Sequence, residues 1–346
     1  MPNKMNLYKY GISTPFLING NDGVNNSVQT AVDTTVSAIY ELDDLGVFRF
    51  IHVTDTHHSA SFTDNDKQLY AAIKEVAKQI SAHCIIHTGD VITGGSGSNS
   101  AAWKIVLTNV KNQFADCDIP IIFSRGNHDD NSVAGLTAEN IITNKWWNTK
   151  MAYLANPASQ KIVYPDNGNG YFYVDFPEHK IRVVNTNDSD LTENERLTTG
   201  GQNHMVLSTA QLSWLDGVLA VESGWKVIVC GHSNAYNYNP NAGITNRESL
   251  YNKISTSGTN VIAYVFGHAH VRSYYKDTNG VQFIGGENVG GTRTTFTNAD
   301  CNVSYASTAA RADCATGNML FDVCIVKHDW DISRVRFGVQ PDVIST

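Results

Sequence analysis

Three short aliphatic runs open the first third of the chain: Val47 to Val53, Cys84 to His87 and Ile119 to Phe123. Two stretches of helical period separate them. In Asp66 to Ser81 the apolar residues Leu69, Ile73, Val76, Ala77 and Ile80 fall on one face, with polar residues opposite. Ala101 to Phe114 is the second such stretch. The order strand, helix, strand, helix, strand constrains the chain strongly, because parallel neighbours need a long crossover and a helix is the usual one. Each strand also ends in a polar motif: Asp55-Thr56-His57, then Gly89-Asp90, then Gly126-Asn127-His128-Asp129. Sheets of this kind place their functional loops at the carboxyl edges of the strands.

The pattern continues with a change of character. Gly170 to Phe176 and Lys180 to Asn185 predict a hairpin turned at Pro177-Glu178-His179. Ser208 to Val221 predicts a helix, with Ser208 or Thr209 as its N-cap. Trp225 to Val229 is a strand leading into Gly231-His232. Thr245 to Ser257 is helical, and Val261 to Phe266 leads into Gly267-His268-Ala269-His270. Two further strand pairs close the chain, Val271 to Lys276 with Val281 to Ile284, and Phe321 to Lys327 with Ile332 to Phe337. Antiparallel strands are thus added to a parallel start.

Residues 1–45 differ from the main domain expected over 46–346. Asn19 to Asn26 is rich in turn-forming steps, and Val28 to Ile39 alternates loosely between apolar and small polar residues. The segment reads as an extended arm or small assembly module, or as a first strand pair of the main domain. The remaining domain, in a chain of 346 residues with 42% hydrophobic content, can hold a sizeable core. Cys84, Cys230 and Cys324 sit in apolar runs and read as buried thiols, with Cys117 near a turn. Cys301 and Cys314 lie in a polar loop and are either paired or free, since an even count establishes no bridge in a chain this long.

A net charge of −8 with no strongly basic stretch counts against a nucleic-acid-coating role, which needs a cationic surface to displace counterions. No window approaches the roughly 18 apolar residues of a membrane span. Met1 to Tyr10 holds no apolar stretch of signal-peptide length. A soluble protein is expected, and extracellular, virion and cytoplasmic placements all remain open. Gly94 to Gly97 is no nucleotide cradle, because no Gly-Lys-Ser or Gly-Lys-Thr follows it.

The motifs carry hard oxygen donors and imidazoles in numbers that suit two adjacent cations. Two metals held about 3.5–4 Å apart need a bridging carboxylate and mixed N and O donors. Asp90 ends its strand and can bridge. Asp55 and His57 are two positions apart at a strand end, as are His268 and His270, so each pair can address the same or neighbouring ions. Asn127 offers a neutral carbonyl oxygen and His232 a further imidazole. Borderline ions such as Mn, Fe and Zn accept this mixture, singly or as a mixed pair. The simpler readings are strand-end caps for Asp55, Asp90 and Asp129, and a turn former for Asn127. Five of the twelve histidines fall within the motifs, which favours ligation over chance placement.

The ordered series Asp-x-His, Gly-Asp, Gly-Asn-His-Asp, Gly-His and Gly-His-x-His resembles that of the calcineurin-like metallophosphoesterase superfamily, from about Val47 to His270. The resemblance implies a four-layer α-β-β-α sandwich with two mixed sheets and the metal site at the carboxyl ends of the strands. It implies one metal held by Asp55, His57, Asp90 and His270, and a second held by Asp90, Asn127, His232 and His268. It further implies that a bridging hydroxide attacks phosphorus, that His128 stabilises the transition state or protonates the leaving oxygen, and that Asp129 orients His128.

Departures narrow the branch. Thr93 stands where purple acid phosphatases carry Tyr, no Arg-Gly follows Gly89-Asp90 as in Ser/Thr phosphatases, and Asp129 replaces their Glu. His232 precedes Ser233-Asn234 where many relatives have His-x-Pro. The pattern looks closer to the phosphodiesterase and general phosphoesterase branches. His58, Arg125, His204, Tyr236 and Tyr238 are candidates to touch a phosphate-ester substrate. Other readings are a nuclease of the same superfamily, and a virus-particle or cell-surface component of tail or baseplate type that carries this domain and associates through residues 1–45.

Overall fold

The run that opens the main domain becomes strand β1 (Phe48–Val53), buried along almost its whole length, as a strand covered on both faces must be. The computed structural model describes residues 24, 26–42, 44–95, 100–132, 135–154, 161–165, 168–200, 204–235, 244–256, 260–270, 272–287, 304–305 and 319–338. Helix α1 (Asn26–Tyr40) precedes β1; α2 (Asp64–Gln79), β2 (Cys84–His87), α3 (Ser100–Asn112) and β3 (Ile121–Phe123) follow it. A middle stretch holds α4 (Asn144–Lys150), β4 (Tyr153–Leu154), β5 (Lys161–Val163), β6 (Phe172–Phe176), β7 (Ile181–Asn185), α5 (Glu193–Thr198) and β8 (Met205–Val206). Next come α6 (Thr209–Val218), β9 (Lys226–Cys230), β10 (Ile244–Thr245), α7 (Arg247–Ile254) and β11 (Val261–Phe266). The chain closes with β12 (Ser273–Lys276), β13 (Gln282–Gly285), β14 (Ser304–Tyr305), β15 (Asp322–Val326) and β16 (Ile332–Arg336).

Among the described residues two large mixed sheets form, in the orders β16-β15-β1-β2-β3-β4 and β14-β12-β13-β11-β9-β7-β6-β5. β1, β2 and β3 run parallel, and β15 joins β1 antiparallel. In the second sheet β7, β9, β11 and β13 run parallel, with the β6–β7 and β12–β13 pairs antiparallel. One apolar cluster takes residues from both sheets, among them Phe50, Ile85, Val183 and Val265, and extends under α1, α2 and α3. A second lies beneath α6 and α7, where Leu212, Leu215, Leu250 and Ile254 meet Val229 and Phe283. Helices therefore cover the outer faces, and the four-layer sandwich implied by the motifs is the observed architecture.

Local chemistry sets the helix starts. Thr63 and Asp66 form a capping box at α2, each side chain bonding the other's main-chain N–H. Ser208 caps α6 by accepting from the Gln211 N–H. A polar tie crosses between the sheets at the far strands. Arg334 on β16 donates to the carbonyls of Ser273 and Gly285 in the second sheet, each at 2.8 Å, and pairs with Asp322 on β15.

One expectation is corrected here. Residues 26–40 are neither an extended arm nor a strand pair but α1. Its buried residues Val28, Ala31, Val32, Thr35, Ala38 and Ile39 follow the helical spacing. The abundant Thr and Val, which favour strands when read one by one, masked that period. Tyr40 donates to the Gln79 carbonyl of α2 at 2.8 Å, and Thr35 Oγ1 accepts from the Gly338 N–H beyond β16 at 2.9 Å, so α1 is docked on the main domain. Cys84, Cys230 and Cys324 are buried free thiols and Cys117 is a half-buried one. Cys301 and Cys314 lie outside the described residues. No helix among the described residues is long and apolar enough to cross a membrane.

Candidate metal centre

Each buried strand breaks sharply as it leaves its sheet. Asp55 (φ +50°), His57 (+45°), Asp90 (+52°), His268 (+65°) and His270 (+58°) all adopt left-handed backbone conformations that non-glycine residues rarely take. Such geometry costs on the order of 1–3 kcal/mol per residue and persists where surroundings over-determine it. Here the loops hold one another. The Asp55 N–H donates to the Gly89 carbonyl and the His57 N–H to the Asp90 carbonyl, each at 3.0 Å, while the Gly267 N–H donates to the His232 carbonyl at 2.8 Å. The loops also approach too closely for a side chain. A Cβ on Gly126 would overlap the Asp90 carboxylate, and one on Gly267 would overlap Thr54 and the Asp55 carboxylate.

The turns converge seven donor side chains from both sheets. His57 Nε2 and His270 Nε2 lie 3.0 Å apart, and Asp55 Oδ1 stands 3.2 Å from His270 Nε2 and 3.7 Å from His57 Nε2. Asp90 Oδ2 lies 3.6 Å from His57 Nε2 and 3.2 Å from His232 Nε2. Asn127 Oδ1 receives both His232 Nε2 at 3.0 Å and His268 Nδ1 at 3.1 Å. Asp55, His57 and His270 form one grouping able to hold an ion; Asp90, His232 and His268 form another.

The donor set fits cations better than hydrogen bonding alone. Asp55 Oδ1 is buried without a hydrogen-bond partner, while Asp55 Oδ2 accepts from Thr54 Oγ1 and the His268 N–H. A buried carboxylate oxygen left open beside two imidazole nitrogens is costly unless a cation fills the gap. The second shell is built to suit. His232 Nδ1 lies 2.7 Å from the Thr88 carbonyl, which holds a proton on Nδ1 and leaves Nε2 as the nitrogen facing the centre. Asp90 Oδ1 accepts the His128 N–H at 2.9 Å, leaving Oδ2 for the centre.

Charge follows the same plan. Burial would raise the Asp55 carboxyl, but the His270 and His57 rings hold it well below the usual range. Burial likewise opposes ionisation of Asp90, and His232 and His128 beside it pull its pKa far down. Burial disfavours a charged His232, yet Asp90 lifts it to about 10. His268 goes the other way, lowered to about 3 by burial and by His232.

The remaining predicted residues separate clearly. The ring of His128 is partly exposed, with Nδ1 on the Thr93 carbonyl and Nε2 3.9 Å from Asp90 Oδ2, at the mouth of the centre. Asp129, expected to orient His128, is fully buried. Its carboxylate accepts from the N–H groups of Val91, Ile92 and Gly126, which ties two ligand loops together. Its pKa rises to about 7, through burial first and the charge of Asp90 second. His58 is turned away from any substrate, its ring nitrogens taken by Asp66 Oδ1 at 2.9 Å and Tyr70 Oη at 2.6 Å. Arg125 is fully buried, bonded to Asn144 and the Ile142 carbonyl and stacked near Trp147, so it has no face for a phosphate. His204 is half-buried ahead of β8, and none of the described contacts joins it to the cluster. Tyr236 and Tyr238 lie outside the described residues. The sequence motifs missed the carbonyls of Thr88 and Thr93 and the carboxylate of Asp188, which accepts from Ser233 beside His232. Main-chain acceptors leave no trace in residue type; the buried polar run 185–190 after β7 was the one available cue.

Comparison with known proteins accords with this geometry. No curated protein matches the sequence. A dimetal phosphatase from Danio rerio shares the fold at 16% identity with a TM-score of 0.57, covering 86% of this chain and 99% of that one. A 5'-nucleotidase from Candida albicans SC5314 matches at 14% identity and a TM-score of 0.36, over 84% of this chain and 51% of that one, too distant to inform the site. The family model described as calcineurin-like phosphoesterase matches residues 48–272, a span that contains every one of the converging side chains. This chain belongs to the calcineurin-like phosphoesterase family.

Proposed function

We propose that the protein hydrolyses phosphate esters at a pair of metal ions held between its two sheets. The observation that carries this reading is the position of Asp90 Oδ2, between His57 Nε2 at 3.6 Å and His232 Nε2 at 3.2 Å. A carboxylate so placed would suit a pair of ions, one beside each imidazole. Asp55, His57, Asp90 and His270 would hold one ion, and Asp90, Asn127, His232 and His268 the other; Mn, Fe and Zn all suit such donors. When bound, the ions supply Lewis-acid polarisation of the phosphoryl group and an acidified water.

The chain's own groups do the rest. His128 keeps its Nδ1 proton on the Thr93 carbonyl, so its Nε2 is the nitrogen that faces a substrate at the mouth. There it stabilises developing charge or carries a proton to the departing oxygen. Asp129 holds the His128 loop against the Asp90 loop through main-chain bonds, acting on position and not on the reacting atoms. Thr93 and the missing Arg-Gly after Asp90 favour a phosphodiesterase or broad phosphoesterase over a protein phosphatase. For residues 1–45 an assembly role now rests on the composition of its first part alone, because α1 is spent on the core.

The test is hydrolysis of p-nitrophenyl phosphate and of its bis ester with added Mn²⁺, alongside metal analysis. Wild type should bind two ions and turn over at least one ester. Asp90→Asn should lower kcat/KM by about a hundredfold or more, since the loss exceeds that of a second-shell partner. An Asp90→Asn enzyme with undiminished turnover would falsify the reading.

A further inference from the structure

β7 lies directly beside β9 in the second sheet. β9 leads into His232, whereas β7 leads into Asn185–Asp190, six polar residues that are all buried and that supply no metal donor. Polar groups do not stay buried without a use, because each must find partners. At the centre of this run, Asp188 is a buried carboxylate whose side-chain partners among the described residues are neutral hydroxyls and a main-chain N–H. Its Oδ1 accepts from Thr186 Oγ1 at 3.1 Å; its Oδ2 accepts from the Ser233 N–H and from Ser233 Oγ, the latter at 2.6 Å. Burying a carboxylate among neutral donors costs stability.

What the contacts accomplish is to immobilise the residue next to His232. Ser233 is held at its N–H and its hydroxyl by Asp188, and at its carbonyl by Tyr264 Oη, which donates at 2.8 Å. On the other side Gly231 is wedged so tightly that an added Cβ would strike Thr186, Tyr264 and Asp188. No proline stiffens residues 231–235, so these bonds join the main-chain bonds of Gly231 to Val265 and of Gly267 to His232 in fixing the chain there. The His232 ring is then pinned by the Thr88 carbonyl, and its Nε2 arrives 3.2 Å from Asp90 Oδ2 and 3.0 Å from Asn127 Oδ1. We propose that Asp188 is the positioning residue for His232: by gripping Ser233 it sets the affinity of the ion that His232 binds, without touching ion or substrate. The inference rests on the two-metal reading above.

The experiment is calorimetric titration of the metal-free full-length protein with Mn²⁺, for wild type, Asp188→Asn, Ser233→Ala and His232→Ala. His232→Ala identifies the binding step that depends on that imidazole. Asp188→Asn keeps the shape but removes the charge and one of the two acceptor oxygens, which weakens the grip on Ser233. It should weaken that same step by about ten- to a hundredfold, the usual effect of a second-shell partner, and leave the other step unchanged. Ser233→Ala, which removes one bond and is the safer fold, should shift the same step in the same direction by less. Raising Mn²⁺ should restore turnover of both variants. Wild-type titration curves for both variants overturn the proposal, as does equal weakening of both steps or a loss of turnover that Mn²⁺ does not repair. If wild type itself takes up no Mn²⁺, the two-metal reading fails and this inference falls with it; normal wild-type uptake with indifferent variants sinks the inference alone.

Discussion

His57 and His270 direct their Nε2 atoms at each other across 3.0 Å. Two imidazole lone pairs at that distance repel unless a proton or a metal ion stands between them, and the open Asp55 oxygen beside them calls for positive charge as well. In the metal-free protein protons must fill that role.

Metal uptake should therefore release protons. The His232 ring, lifted by Asp90 against the effect of burial to about 10, is protonated at neutral pH until an ion displaces the proton. Mn²⁺ affinity at the His232 site should rise as pH rises toward that value, by up to about tenfold per unit. Calorimetry in buffers of different ionisation enthalpy measures the protons directly; a buffer-independent heat would refute this.

Gly126→Ala should disable the centre from outside the ligand set. The new Cβ overlaps Asp90 Oδ1 and the Asp90 main chain, so the carboxylate must shift or the loop must open. Overpacking of this kind costs about 1–3 kcal/mol, and metal occupancy should drop with it. Elemental analysis together with the thermal midpoint decides; a variant with full occupancy and unchanged midpoint would show that the loop has slack.

Acid should destabilise the fold through histidines outside the ligand set. His52, His83 and His87 are each held down to about 3, burial being the largest cause. Their folded values lie below the unfolded value of about 6.5, so unfolding takes up protons. Their contribution is complete above pH 6.5 and is lost as pH falls toward 3, at up to about 1.4 kcal/mol per pH unit for each ring. Urea midpoints of metal-free protein at pH 7 and pH 5 should differ in that sense, and equal midpoints would contradict the assignment.

Removal of α1 should cost stability. Val32 and Ile39 are buried in the main cluster, and Val32→Ala alone should lose about 2 kcal/mol in urea unfolding. A chain beginning at residue 43 should be far less stable than one beginning at residue 24. Normal stability without α1 would show that the helix is an appendage after all.

The strand-end motifs were legible because period and chemistry agree in them: a buried run needs a turn, and the turn carries the donor. Asp55, Asp90 and His268 lie together because the strand order brings the loops that carry them to one end of the two sheets. α1 was misread because β-branched residues hide a helical period that only docking against α2 makes worthwhile. His58 and Arg125 looked like substrate groups from their neighbours in sequence. His58, adjacent to His57, points the opposite way and bonds Tyr70, and Arg125 is drawn into the protein by Asn144 and the Ile142 carbonyl. Asp188 was hidden for a different reason: its role lies in a contact with a residue 45 positions away.

Asp55, His57, Asp90 and Asn127 issue from one sheet; His232, His268 and His270 issue from the other. Once loaded, the centre is a clasp joining two slabs, and its dimensions are those of the seam between them. A slip along that seam would pull the donors of one sheet from those of the other, and Arg334, bonded across the same seam to the carbonyls of Ser273 and Gly285, resists it.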